Sequence, residues 1–114
     1  MESASPKRFF LVQTNEFDRL VDCVSYAMFG VTTTFFEKRG RPYPSLQQIK
    51  VGEQVFIRLQ VNPPLIFGSF TVTTPPPQIE IRSQRGNWHE VDIKETPRHL
   101  LPGWIERYPL CAFF

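Results

Sequence analysis

The sequence predicts an α+β fold, a small barrel-like sheet of five to six mostly antiparallel strands with flanking helices, as a single domain over residues 1–114. Three observations carry that expectation. One amphipathic helix pattern stands near the front of the chain. Behind it, short runs rich in Val, Ile, Phe and Thr recur between clusters of Gly, Pro and Asn. Neither an internal repeat nor a linker divides the 114 residues, a length at which roughly two-thirds of the unfolded surface is buried and no metal or disulfide staple is needed.

Residues 1–7 are small or polar and are expected to be disordered. Phe9 to Val12 is a short apolar run that predicts a buried strand. Thr14-Asn15 is a helix start signal, and Glu16 and Asp18 place negative charge in the first turn, where the helix dipole favours it. Phe17, Leu20, Val21, Val24 and Met28 follow at helical spacing and predict one apolar stripe, with Asp18, Arg19, Asp22 and Ser25 opposite. Gly30 is placed as the residue just past the helix end.

Val31 to Phe36 is β-branched and aromatic, a short strand or an extended loop. Glu37 to Pro44 is a cationic loop carrying Lys38, Arg39 and Arg41 around Tyr43. Gln54 to Val61 predicts a strong strand. Asn62-Pro63-Pro64 turns the chain into a second, Leu65 to Val72, paired as a hairpin. Gly68 within it signals a bulge or a close backbone approach. Gln78 to Arg82 and Trp88 to Ile93 alternate in polarity and predict half-buried strands, joined at Ser83 to Asn87 with Gly86 available for positive φ. Thr96-Pro97 opens a helical turn. Trp104-Ile105 and Leu110 to Phe114 form a last apolar segment that rejoins the sheet.

Composition narrows the function classes. Net charge is only +2, but nine of the 13 cations are Arg, the residue suited to phosphate forks and to stacking on bases. The 11 Phe exceed what a small core needs, so some rings are expected at a binding surface. Cys23 and Cys111 are expected as small buried hydrophobes. His89 and His99 have no metal-ligand spacing, and His89 should face the opposite side of its strand from Trp88. There is no phosphate loop, HExxH, CxxC or nucleophile elbow. The expectation is therefore a binding module and not an enzyme, without cofactor or metal. No targeting segment or span of transmembrane length is visible, so a cytoplasmic location is expected.

Four short motifs then occur in a telling order: Phe9 to Val12, Met28-Phe29-Gly30-Val31, Val51-Gly52 with Val55-Phe56-Ile57, and Ile66-Phe67-Gly68-Ser69-Phe70. In order and spacing, over roughly residues 9 to 93, the chain resembles the PUA-like superfamily, and within it the YTH, EVE and DCD group. The resemblance implies a PUA-like β-barrel with a nucleobase pocket, of the kind that reads modified bases such as N6-methyladenine. Where YTH proteins carry a tryptophan after the helix-end step, this chain has Thr32-Thr33-Thr34. The methyl-adenine cage is therefore not carried over.

On that reading the expected base pocket is Thr32, Thr33, Thr34, Phe35, Trp88 and Trp104. The expected phosphate contacts are Lys38, Arg39, Arg41, Arg82 and Arg85. The expected partner is DNA or RNA with a flipped or single-stranded base, methylated bases included, and no membrane. The apolar ending LCAFF further suggests a piece of something longer, such as the N-terminal targeting domain of a modification-dependent restriction enzyme, in which a fused or partner protein would follow. The alternative is a DCD-like protein-interaction domain whose exposed rings grip a peptide without binding nucleic acid.

Overall fold

The computed structural model describes residues 9–32 and 49–114. Their elements are β1 (Phe9–Thr14), α1 (Phe17–Tyr26), β2 (Met28–Val31), β3 (Gln54–Leu59), β4 (Leu65–Thr71), β5 (Ile81–Arg85), β6 (Trp88–Val91) and β7 (Leu110–Phe113). Two short 3-10 turns, Arg98–Leu100 and Gly103–Glu106, lie between β6 and β7. The fold is α+β with two sheets, one of order β1-β3-β4 and one of order β2-β7-β6-β5. Among the described residues the sheets do not close into a barrel. An isolated bridge from Thr73, just past β4, to Phe113 of β7 links them.

β1 and β3 run parallel. A parallel pair needs a crossover, and α1 lies within it. Thr14 Oγ1 accepts the Glu16 N–H at 3.2 Å just before the helix begins. The helix ends at Ala27, in the left-handed region at φ 56, with its N–H on the carbonyls of Cys23 and Val24. The expected stop at Gly30 is thus corrected: Met28, Phe29 and Gly30 already belong to β2. Met28 and Phe29 are buried and pair with Phe113 and Ala112 of β7. Sheet pairing and burial outweigh the helical periodicity at these positions.

The helix also faces a different way from its sequence pattern. Leu20 and Cys23 are buried, while Phe17 is 60% exposed and Val24 53%. At 3.6 residues per turn the buried face is rotated by about a quarter of a turn from the expected stripe. β1 differs too. Phe10, Val12 and Thr14 point inward, and Phe9 and Leu11 point out. A continuous apolar run reads as wholly buried, yet one face of this sheet is left open.

Two hydrophobic clusters share the second sheet. Phe29, Trp88, Leu110 and Ala112 pack with Phe10, Val12, Leu20, Cys23 and Ile57 on one side. Met28, Val91, Cys111 and Phe113 pack with Ile79, Leu101 and Ile105 on the other. β7, with all four residues buried, is the central strand between β2 and β6.

The hairpins are where the turn residues put them. β3 and β4 pair antiparallel, with a register shift that sets Phe56 against the Gly68-Ser69 step. A Cβ at Gly68 would lie 2.6 Å from the Phe56 ring, so the expected close approach is a side chain crossing the backbone. β5 and β6 pair up to Arg85 opposite Trp88, which leaves Gly86, at φ 61, and Asn87 as a two-residue turn. That hairpin loop is shorter than expected because β5 continues through Ser83 to Arg85.

A candidate functional site at the end of β2

Helical spacing places Arg19 on the solvent side of α1. It reaches instead across the end of β2. Its guanidinium carbon lies 3.9 Å from the Tyr108 ring centre, 4.9 Å from that of Phe29 and 5.4 Å from that of Trp104. One of its N–H groups donates to the Gly30 carbonyl. The rings and the carbonyl present negative potential from several directions, an arrangement suited to a planar cation. Arg19 Nε and Trp104 Nε1 are both buried and have no acceptor among the described residues.

Gly30 makes this corner possible. A Cβ there would meet the Tyr108 carbonyl oxygen at 2.4 Å and the Trp104 ring at 2.7 Å. The Gly103–Glu106 turn carries Trp104, and the chain returns through Tyr108 to β7. Trp104 and Tyr108 stand edge to face, 6.2 Å apart. Thr32 follows directly on β2, two residues beyond the Gly30 carbonyl, and is half-buried.

Arg19 draws the Cys23 and Cys111 thiols down, but burial has the larger effect. The Cys23 pKa is pushed up to about 12, and that of Cys111 is also raised. Both are free and buried, as expected. His89 is buried, faces Cys111 across the sheet and sets its ring 5.9 Å from Phe113. Desolvation lowers its pKa, which favours the neutral imidazole.

The structure brings together only part of the expected pocket. Thr32 and Trp104 lie at this corner. Trp88 does not serve as an open pocket ring. It is 1% exposed, packed in the core beneath β1 and β3, because its strand alternation points it inward. Thr33, Thr34, Phe35, Lys38, Arg39 and Arg41 lie outside the described residues. Arg82 and Arg85 are exposed on β5. Arg82 lines a groove of about 340 Å³ with Lys94, Glu90 and Glu106, so carboxylates offset its charge.

Arg19, Phe29 and Tyr108 join the site without having been expected there. No sequence signal marks them as a set, since they come from three separate elements. Among the described residues, no group of His, Cys, Asp and Glu is arranged to hold a metal ion, and no helix is long and apolar enough to cross a membrane. No family model matches the chain, and neither a curated protein nor a solved structure does.

Proposed function

We propose that this chain is a nucleic-acid-binding module, not an enzyme, which takes up one flipped or single-stranded base at the corner where β2 ends. Methylated bases fall within the class. The observation that carries the reading is the placing of the half-buried Trp104 and Tyr108 rings around the fixed charge of Arg19, next to Thr32, with the buried Phe29 ring behind the guanidinium. Aromatic rings and a guanidinium offer surfaces on which a base stacks. A threonine hydroxyl supplies a donor and an acceptor for its edge. On the same reading the two sheets and their bridge at Thr73 are the parts of a PUA-like barrel, and the chain acts as the recognition module of a larger modification-dependent restriction system.

A second reading has its own support. Phe17, Val21 and Val24 form an exposed apolar ridge along α1. Residues at this helical spacing suit a protein partner, with the exposed Phe17 ring available to grip a peptide as the alternative of a DCD-like interaction domain requires.

Titration of methylated and unmethylated DNA and RNA oligonucleotides at two salt concentrations separates the two. The module binds at least one oligonucleotide, with affinity that falls steeply with salt. Trp104→Leu weakens that binding about tenfold, the scale of one lost base stack. Absence of binding to every oligonucleotide at low salt overturns the proposal. Peptide binding that is insensitive to salt and abolished by Val21→Ser would establish the second reading.

A further inference from the structure

The first sheet turns one face to the core, and on the other Phe9, Leu11 and Ile66 are exposed and Phe56 is half-buried. Its outward positions are Phe9, Leu11 and Gln13 on β1, Gln54, Phe56 and Arg58 on β3, and Ile66 and Thr71 on β4. The register sets Leu11 beside Phe56, and Arg58 between Gln13 and Ile66. Phe9 is 64% exposed and Ile66 62%. An apolar patch of this kind on a sheet face marks an interaction surface.

Its aromatic part is built. The Phe56 ring lies across Gly68, where any Cβ would come within 2.6 Å of it. Phe9 stands alongside, its ring centre 6.0 Å from that of Phe56 with the planes 42° apart. None of the outward strand positions named above is acidic, and Arg58 is the cation among them. Around them lie neutral donors and acceptors: Gln60 donates to Gln13 at 3.1 Å, and Gln54 to Thr71 at 3.2 Å.

We infer that this face binds single-stranded RNA by base stacking, an inference that rests on the nucleic-acid reading of the chain but uses a face of the other sheet and not the β2 corner. Rings give sequence-tolerant stacking surfaces, and Arg58 meets a backbone phosphate. The amide and hydroxyl rim matches the ribose 2′-hydroxyl, which both donates and accepts. Among the outward strand positions named, one cation and no acidic residue suit a single strand better than an anionic membrane, which binds through clusters of Lys and Arg.

Fluorescence anisotropy with labelled oligo(U) RNA and oligo(dT) DNA of equal length tests it, in the full chain and in Phe9→Ser, Leu11→Gln and Trp104→Leu. The expected result is preference for RNA and a loss of about tenfold or more in Phe9→Ser, with an unchanged thermal midpoint. If Phe9→Ser does not fold, Leu11→Gln is read in its place, with the same loss expected. Undiminished RNA binding in Phe9→Ser and Leu11→Gln, with loss only in Trp104→Leu, overturns the sheet-face site and leaves the corner site standing. Equal or tighter binding of DNA overturns the RNA assignment. Loss in Phe9→Ser but not in Trp104→Leu supports the sheet face and counts against the corner. No binding of either strand by the parent chain sinks both.

Discussion

Gly30 and Arg19 depend on each other. The guanidinium reaches the Gly30 carbonyl because no side chain at residue 30 pushes Trp104 and Tyr108 away. A methyl group there would overlap a backbone oxygen, which has less freedom to yield than the end of a side chain. Gly30→Ala is therefore expected to destabilise the fold by about 1–3 kcal/mol, the range for overpacking a filled site. A urea midpoint checks this. Near-parental stability would show that the Trp104–Tyr108 segment moves freely, and the corner would lose its standing as a formed site. Gly68 is legible as a close approach, because glycine within a strand pattern signals one. Gly30 reads misleadingly as a helix cap, because Ala27 adopts the left-handed conformation that glycine usually supplies.

Helix α1 shows how a helical pattern can be right and its orientation wrong. The spacing from Phe17 to Val24 does mark a helix. Leu20 and Cys23 nevertheless bear on the core, and Phe17, Val21 and Val24 stand outside it. Leu20→Ala is expected to cost about 2–5 kcal/mol, as a buried leucine does. Phe17→Ser and Val21→Ser should stay within about 0.5 kcal/mol of the parent, as for surface positions. The three denaturation curves decide the orientation, and a large loss at Val21 would reverse it. β1 offers the same lesson: its register beside β3 turns Phe9 and Leu11 outward despite a four-residue apolar run.

Across the molecule, ionisable groups buried in the core tie stability to pH. His89 is neutral in its apolar setting, with a pKa below the ordinary value of 6.5. Below that pH the unfolded chain takes up a proton that the folded chain resists, so stability falls with acid. Cys23 is the opposite case. Above 9.0 the unfolded thiol ionises while the folded one remains protonated towards about 12, so stability falls as the pH rises. Cys111 acts in the same direction. The urea midpoint is expected to be highest between about pH 6.5 and 9, given these ordinary values. His89→Leu should flatten the slope between about pH 6.5 and 5.5, where His89 is the group expected to take up its proton on unfolding. An unaltered acid limb in that variant would show that His89 does not titrate on unfolding.

Local signals were enough for the α+β class, the helix after β1, both hairpins, the return of Leu110 to Phe113 to the sheet and the burial of both cysteines. Each depends on something a short window contains: periodicity, a turn glycine, a proline pair or an apolar run. The parallel pairing of β1 with β3, the place of Trp88 in the core and the seat of Arg19 among Phe29, Trp104 and Tyr108 emerge only from packing. They join residues as far as 89 positions apart, from Arg19 to Tyr108. No short window of sequence holds both partners, and the face that an element turns to its neighbour is chosen by what the neighbour can bury.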